Sequence, residues 1–250
     1  MELEKELVYG PVHSRRFGWD LGINLLPAHR KLCTFDCVYC QYGFVGHGVE
    51  GVVRFPDTEE ILRQWEFKLR ECQAQGLRIR HTTLAGNGEP TMHPEFGYLV
   101  ERLVHWRNES APYMRLAVLS NGYRIHNSEI RYALGLMDEP VLKLDAGDST
   151  KLKEINQPLV RFDLAGYVEN LKKCSHVILQ TMFLKGWNDN KDDLKAWIEI
   201  LRDVRPEYVQ IYSIDRHPAM PGLQPIGQEE LTRIARDASL QSGVPVHAYL

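Results

Sequence analysis

The sequence predicts an α/β fold in which strands and helices alternate along the chain. Short runs rich in Val, Ile, Leu and Thr are bounded by Gly, Pro, Asn or Asp, which is typical of strands. Segments with helical spacing of apolar residues lie between them. Several of the strand runs are almost continuously apolar, which favours parallel strands covered on both faces. Such a series forms a full or partial barrel, or opens into a doubly wound sheet.

Six strands are predicted in chain order. The first, "LGINLL", and the second, "RHTTLAG", end in glycine or precede proline, whereas the third, "RLAVLS", precedes Asn-Gly. The fourth to sixth are "VLKLDA", "HVILQTMFL" and "YVQIYSI", each close to a continuous apolar run. Their ranges are 21–26, 80–86, 115–120, 141–146, 176–184 and 208–214.

Six helices are predicted by the same reading. The first begins "DTEEILRQWEFKLRE", where Asp57 suits the N-cap and Ile61, Leu62, Trp65 and Leu69 recur at helical spacing. Five helices separate the strands, and the last, which opens "GQEELTRIARDA", follows the sixth strand. The predicted ranges are 57–75, 94–107, 128–136, 163–173, 190–203 and 228–239.

Length and composition predict a single globular domain, and the sequence pattern predicts a cytoplasmic location. The chain of 250 residues fits a single domain spanning 1–250, and its 44% hydrophobic and 25% charged residues are ordinary globular values. The net charge of -3 gives no global field for nucleic acid. The acidic start "MELEKELVYG" lacks the apolar region of a secretory signal. No run approaches about 18 apolar residues, so no membrane span or membrane partner is expected.

The region of about 27–56 has little regular pattern and holds three of the five cysteines, within "CTFDCVYCQYG". Structureless loops of this length are usually functional. Disulfides are rare in a reducing compartment, so the cluster of cysteines indicates metal binding or redox chemistry.

Cys33, Cys37 and Cys40 have the spacing C-x3-C-x2-C. Thiolates at this spacing suit zinc or an iron–sulfur cluster. Structural zinc sites and clusters of electron carriers each take four protein ligands. The other cysteines lie far along the chain, in helical patterns. One reading is therefore a cluster with one open iron; the alternatives are an electron carrier, or a zinc site completed by His29 or His47.

The motif, with Tyr39 before its third cysteine, resembles that of the radical S-adenosylmethionine (radical SAM) superfamily. The resemblance continues in "GNGEPT", "LSNG" and "KLDA" after or at the second, third and fourth predicted strands. The upstream "HSRRFGWDLGINLLP" is similar to a subgroup that includes the tRNA wyosine synthases. Together these matches run from about residue 10 to 215.

The resemblance implies a partial (β/α)6 barrel of TIM type, with a cluster-binding loop after the first predicted strand. It also implies two cofactors, a [4Fe–4S] cluster and S-adenosylmethionine. The open iron would chelate the amino and carboxylate groups of S-adenosylmethionine. A flavodoxin- or ferredoxin-type electron donor is expected as a partner.

Residue roles follow from the same resemblance. The metal ligands are Cys33, Cys37 and Cys40, and Glu89 is expected to hold the methionyl ammonium; Asn87 departs from the glycine of the commoner pattern. The full set expected to bind S-adenosylmethionine is Tyr39, Asn87, Gly88, Glu89, Ser120, Asn121, Asp145, Gln180 and Tyr212. All follow or end predicted strands, the edge at which barrel enzymes place their active sites.

The substrate is less constrained. The subgroup resemblance favours RNA modification, although no second cysteine set and no basic charge support a literal match to wyosine synthases. A glycyl-radical enzyme activase is the alternative radical enzyme, and a non-enzymatic zinc or iron–sulfur protein is the alternative outside it. Arg15 and Arg16 are candidates for contacts with an anionic substrate. Lys143, on a predicted strand, is either a paired structural lysine, which is the favoured reading, or a candidate for Schiff-base chemistry.

Overall fold

The computed structural model describes residues 2–14, 18–45 and 53–249. Arg15, Arg16 and His47, together with part of the predicted cysteine loop, lie outside the described residues, and the roles suggested for these three side chains stay predictions.

The fold is built on one mixed sheet. The described residues form eight strands that pair in chain order from β1 to β8. β1 and β2 are antiparallel, and every later pair is parallel. The strands are β1 (Val8–Ser14), β2 (Gly18–Ile23), β3 (His81–Leu84), β4 (Arg115–Ser120), β5 (Glu139–Lys143), β6 (Ile178–Met182), β7 (Tyr208–Tyr212) and β8 (Val246–Ala248).

The sheet is an open, partial barrel. Within the described ranges, the edge strands β1 and β8 do not pair with each other. The six predicted strands are β2 to β7, so the predicted barrel strands and their parallel order are confirmed. The antiparallel β1 and the short β8 were not predicted, and they extend the sheet at its two edges.

Helices follow the parallel strands. They are α1 (Thr58–Ala74), α2 (Phe96–Ser110), α3 (Ser128–Gly135), α4 (Ser149–Asn156), α5 (Leu164–Leu171), α6 (Lys191–Val204) and α7 (Gln228–Ser242). Asp57 caps α1 as predicted, with its side chain accepting from the Glu60 N–H. Six of the seven were predicted; α4 was missed, although Asp148 caps it through the N–H groups of Thr150 and Lys151.

The core lies mainly between the sheet and the helices. Trp65 of α1 and Trp197 of α6 are almost fully buried there, and their indole N–H groups donate to Thr82 and Thr181 on the sheet. The opposite face of the strands carries a small separate cluster of Ala117, Val141 and Ile178. This alternation leaves one face of the sheet for the helices and the other for the interior of the partial barrel.

A third apolar cluster covers the carboxyl ends of β6 and β7. It joins Val38 of the cysteine loop to Ile155 of α4 and to Met182 and Leu184, which lie at and just after the end of β6. The cysteine loop is therefore packed against the strand ends at which the candidate site residues lie. Of the helices in the described ranges, none is long and apolar enough to cross a membrane.

Candidate active site

The cysteine loop is fastened on one side to the turn that follows β3. Leu32 forms an isolated bridge with Gly88: its N–H donates to the Asn87 carbonyl at 2.8 Å, and its carbonyl accepts from the Glu89 N–H at 2.9 Å. Gly88 has φ +143°, and a Cβ added there would lie 1.8 Å from the Leu32 carbonyl oxygen. Only glycine permits this approach, because it has no side chain and tolerates positive φ.

The loop is fastened on its other side to the end of α4. The Asp36 N–H donates to the carbonyl of Asn156 at 3.0 Å, and the Val38 N–H donates to that of Ile155 at 2.9 Å. The Val38 carbonyl in turn accepts from the N–H of Met220, at 2.9 Å. The two bonds to α4 use carbonyls that a helix end leaves without internal partners. Together with the bond from Met220 and the bridge to Gly88, they fix the loop between three separate parts of the chain.

The three cysteines of the loop are free thiols. Burial is the main cause that raises the pKa of Cys37 to about 11, and the negative charge of the Asp145 carboxylate is the second. Burial and the nearby Glu89 raise the pKa of Cys33 above its usual range. Because thiolates are the metal-binding form, these sulfurs require a neighbouring cation to ionise at neutral pH. Iron ligation supplies that cation, so the donor set fits a thiolate-bound cluster.

The buried side chain of Lys31 connects two parts of the cysteine loop. The Lys31 ammonium donates to the Gly43 carbonyl at 2.6 Å and to Asp36 Oδ1 at 3.3 Å, and only 5% of its side chain is exposed. Burial lowers the pKa of Lys31, but Cys40, Cys33 and Asp36 outweigh it and raise the pKa overall. A positive charge therefore sits beside the predicted ligands; sequence reasoning missed it because a single Lys in a loop carries no pattern.

Glu89 is a fully buried carboxylate with four donors. Its Oε1 accepts from the Thr91 N–H, the Thr91 hydroxyl and the Ser120 hydroxyl, at 3.1, 2.6 and 2.7 Å. Its Oε2 accepts from the Asn121 N–H at 2.6 Å. Burial raises the pKa of Glu89 even though these bonds favour the charged form. The site therefore holds a pre-positioned acidic group within electrostatic reach of Cys33.

Ser120 and Asn121 support this arrangement with their side chains. The Ser120 hydroxyl, which donates to Glu89, accepts from the Gly122 N–H at 3.0 Å. The Asn121 amide donates to Thr34 Oγ1 at 2.9 Å and approaches Cys33 Sγ at 3.6 Å. The turn after β4 therefore orients Glu89 and contacts the cysteine loop at the same time.

Asp145, just after β5, is the centre of a second polar group. Its Oδ1 accepts from the Met182 N–H at 2.7 Å and from Lys143 Nζ at 3.0 Å. Its Oδ2 accepts from Asn156 Nδ2 at 2.6 Å and from the Tyr39 hydroxyl. Each carboxylate oxygen accepts two hydrogen bonds, so Asp145 holds Tyr39 and Asn156 in place; its predicted role in binding S-adenosylmethionine stays a prediction.

Gln180 and Tyr212 continue this group across β6 and β7. The Lys143 ammonium donates to the Tyr212 hydroxyl at 3.0 Å, which donates to Gln180 Oε1 at 3.1 Å. The ammonium lies 5.0 and 4.9 Å from the ring centroids of Tyr39 and Tyr212. Burial lowers the pKa of Lys143, but Asp145 and Tyr212 outweigh burial and raise the pKa overall. The amine is therefore protonated at neutral pH, which disfavours the Schiff-base role.

Asn87 uses its side chain to bind the N-terminal segment. Its Oδ1 accepts from the Glu4 N–H at 2.7 Å, and its Nδ2 donates to the carbonyls of Glu4 and Pro27 at 2.8 and 3.1 Å. Glycine at this position makes none of these bonds. The departure from the family pattern therefore has a structural account: Asn87 anchors the segment that leads into β1.

The structure thus brings the predicted residues into two connected groups at one edge of the sheet. One group joins Glu89, Ser120 and Asn121 to Cys33, and the other joins Tyr39, Asp145, Gln180 and Tyr212 through Lys143. Sequence reasoning missed Asn156, which contacts Cys37 Sγ at 3.3 Å. The contact joins residues 119 positions apart, so no local pattern in the sequence predicts it; the nearest local signal is Asp148, which caps α4.

The zinc alternative named His29 and His47 as fourth ligands. In residues 2–14, 18–45 and 53–249, no three or more His, Cys, Asp or Glu side chains form a group that could hold a metal ion. Ligands of a multi-iron cluster stand farther apart than those of one ion, so the cluster assignment does not depend on such a group. His47 is outside this search.

A family model described as the radical SAM superfamily matches residues 29–224. This match covers more than half of the chain, including the cysteine motif and the strand ends. The chain belongs to the radical SAM superfamily. Members of this superfamily are enzymes that use a [4Fe–4S] cluster and S-adenosylmethionine, and they need an external electron donor. The predicted family and cofactors are therefore confirmed.

Curated relatives cover most of the chain. It is 29% identical over 209 residues to UPF0026 protein slr1464 of Synechocystis sp., covering 82% of this chain and 74% of that protein. It is 27% identical over 253 residues to a protein named GTPase Obg of Brachyspira hyodysenteriae, covering 98% of this chain and 36% of that protein. The chain thus spans about a third of the latter.

Other comparisons concern tRNA enzymes and the fold. The S-adenosyl-L-methionine-dependent tRNA 4-demethylwyosine synthase of Arabidopsis thaliana is 27% identical over 148 residues, covering 56% of this chain and 21% of that protein. The crystal structure of a radical SAM methyltransferase from Sphaerobacter thermophilus superposes with a TM-score of 0.71 at 15% identity, covering 92% of this chain and 65% of that one. This structural likeness shows the shared fold.

Proposed function

We propose that this radical SAM enzyme binds a [4Fe–4S] cluster through Cys33, Cys37 and Cys40 and modifies RNA. The observation that carries the proposal is the placement of three free thiols in a loop that is bonded directly to the turn bearing Glu89. The chemistry that the cluster supplies when bound is one-electron reductive cleavage of S-adenosylmethionine, giving a 5'-deoxyadenosyl radical that abstracts hydrogen from the substrate.

The two polar groups divide the binding of S-adenosylmethionine between them. Glu89, oriented by Ser120 and Asn121, attracts the methionyl ammonium, because a buried carboxylate favours a cation in a low-dielectric site. The group around Asp145 holds the adenosine side, where the rings of Tyr39 and Tyr212 lie 5.0 and 4.9 Å from the Lys143 ammonium. Gly88 contributes by letting the cysteine loop approach this turn.

The RNA assignment is supported by the names of the relatives. Proteins named S-adenosyl-L-methionine-dependent tRNA 4-demethylwyosine synthase from Arabidopsis thaliana, Danio rerio and Homo sapiens are 23–27% identical to this chain. The net charge of -3 requires that any RNA contact be local rather than spread over the surface. A flavodoxin- or ferredoxin-type protein is proposed as the electron donor.

The test of this function is an anaerobic assay with reconstituted protein, a chemical reductant and S-adenosylmethionine. Total tRNA isotopically labelled with deuterium is the candidate substrate. The proposal predicts tRNA-dependent transfer of deuterium into 5'-deoxyadenosine. Cleavage of S-adenosylmethionine that proceeds equally with and without tRNA, with no deuterium transfer, would overturn the RNA assignment while keeping the radical chemistry.

Substitution Glu89→Gln separates binding of S-adenosylmethionine from cluster assembly. Glutamine keeps the size of the side chain but removes its charge, so we expect the Kd for S-adenosylmethionine to rise about tenfold or more, with iron content unchanged. Equilibrium dialysis on the reconstituted variant measures the first quantity, and iron analysis measures the second. Glu101→Gln, on the exposed face of α2, is the matched control. Unchanged binding of S-adenosylmethionine together with loss of iron would contradict the role proposed for Glu89.

A further inference from the structure

Asn156 is the last residue of α4, is 2% exposed, and places its side-chain amide against one of the predicted cluster ligands. Its Nδ2 lies 2.6 Å from Asp145 Oδ2 and 3.3 Å from Cys37 Sγ. An amide nitrogen carries two hydrogens. Asp145 accepts one of them, and the other faces the Cys37 sulfur and the Tyr39 hydroxyl oxygen, each of which lies 3.3 Å from the nitrogen.

We propose that Asn156 is a positioning residue that, held by Asp145, donates a hydrogen bond to the Cys37 sulfur and thereby raises the reduction potential of the cluster. The inference rests on the proposed function in one respect, namely that Cys37 ligates a cluster. It assigns to this chain a residue that sets the energy of the bound cluster without ligating it.

The geometry that holds Asn156 does not depend on a bound group. Asp145 is fixed by the Met182 N–H and by the Lys143 ammonium, at 2.7 and 3.0 Å. The Asn156 backbone carbonyl accepts from the Asp36 N–H at 3.0 Å, which sets the distance between α4 and the cysteine loop. Both ends of the residue are therefore fixed relative to Cys37 before any cluster binds.

The direction of the effect follows from charge. Reduction adds one negative charge to a cluster, and part of that charge resides on its sulfur ligands. A donor aimed at such a sulfur stabilises the reduced form more than the oxidised form, and hydrogen bonds to sulfur are among the factors that set cluster potentials. Burial strengthens the effect, since a hydrogen bond is electrostatically stronger in a low-dielectric interior.

Asn121 provides an internal comparison. Its amide approaches Cys33 Sγ at 3.6 Å, a longer contact than that of Asn156, and it also donates to Thr34 Oγ1 at 2.9 Å. A longer contact with the sulfur stabilises added charge less. Loss of the Asn121 amide is therefore expected to lower the potential in the same direction but by a smaller amount.

The experiment is a redox titration of reconstituted full-length protein without S-adenosylmethionine, followed by electron paramagnetic resonance of the reduced cluster. Asn156→Leu removes the donor at similar volume, Asn156→Ala is a second variant of smaller volume, and Asn121→Leu tests the weaker contact. Asn170→Leu, on α5, is the control, because its amide donates to the carbonyl of Gly166 within the helix.

At a fixed solution potential, we expect the ratio of reduced to oxidised cluster to fall about tenfold in both Asn156 variants. This fall corresponds to a reduction potential lower by about 59 mV for a one-electron couple. Asn121→Leu should give a smaller fall, and Asn170→Leu none. An unchanged ratio in Asn156 variants with full iron content would overturn the inference alone.

Two other outcomes are distinct. Loss of iron from both Asn156 variants, with iron retained by Asn170→Leu, also contradicts the inference, because it assigns Asn156 to cluster assembly rather than to potential. Absence of any cluster in the unsubstituted protein would instead contradict the proposed function.

Discussion

Cys37→Ala is expected to abolish formation of 5'-deoxyadenosine and to remove most of the bound iron. The site has three thiols in its loop, so loss of one leaves too few protein ligands to retain a cluster. No other cysteine is close enough in the fold to replace it, because Cys72 is buried in α1 and Cys174 follows α5. Iron analysis and chromatography of the reaction products measure the two effects.

Cys174→Ala is the matched control for this experiment. Its thiol is partly buried and donates to the Asn170 carbonyl, away from the cysteine loop. This variant should retain iron and product formation at the level of the unsubstituted protein. Undiminished 5'-deoxyadenosine from Cys37→Ala would refute the proposed ligand set.

Gly88→Ala is expected to detach the cysteine loop from the turn after β3. The new Cβ would lie 1.8 Å from the Leu32 carbonyl oxygen, and φ +143° is unfavourable for any residue with a side chain. Both bonds of the Leu32 bridge must therefore lengthen or break. We expect the free energy of unfolding to fall by about 2 kcal/mol or more, and iron content after reconstitution to fall several-fold.

Gly97→Ala provides the comparison, since a Cβ at this position of α2 meets nothing within 4 Å. Alanine favours a helix by up to about 1 kcal/mol over glycine, so this variant should be as stable as the parent or slightly more stable. Chemical denaturation measures both variants. A Gly88→Ala protein that unfolds like Gly97→Ala and assembles a full cluster would show that the close approach of the loop is not required.

The fold was largely predictable because its strands are buried on both faces. Runs such as 115–120 and 176–184 are nearly continuous in apolar residues, and the helices between them carry clear caps and spacing. These signals are local, and the order of parallel strands follows from right-handed connections. The six strands from β2 to β7 therefore appear where the pattern placed them.

The missed elements lie where local signals fail. β1 contains Gly10 and Pro11 and pairs with β2 through an irregular register between Tyr9 and Val12. Proline inside a run argues against a strand, although an edge strand tolerates it. β8 has only three residues, and α4 has only two buried apolar residues, Leu152 and Ile155, so neither gives a clear periodic pattern.

The candidate site was predictable in position but not in contacts. The motifs located the cysteine loop and the strand ends, because active sites of barrel enzymes lie at that edge. The contacts that define the chemistry join distant parts of the chain: Asn121 approaches Cys33 across 88 residues, and Asn156 approaches Cys37 across 119. Likewise, the binding of Glu4 by Asn87 spans 83 residues. Only the folded structure brings these groups together.

The proposed function depends on three protein thiolates that hold a cluster whose remaining iron is open to S-adenosylmethionine. Electron paramagnetic resonance of anaerobically reconstituted, reduced protein tests it most directly when S-adenosylmethionine is titrated into the sample. We expect the signal of a reduced [4Fe–4S] cluster, with about four iron atoms per chain, and g-values that change until the cofactor saturates the site. A cluster signal that S-adenosylmethionine leaves unaltered, or a protein that holds one zinc ion and gives no signal, would contradict it.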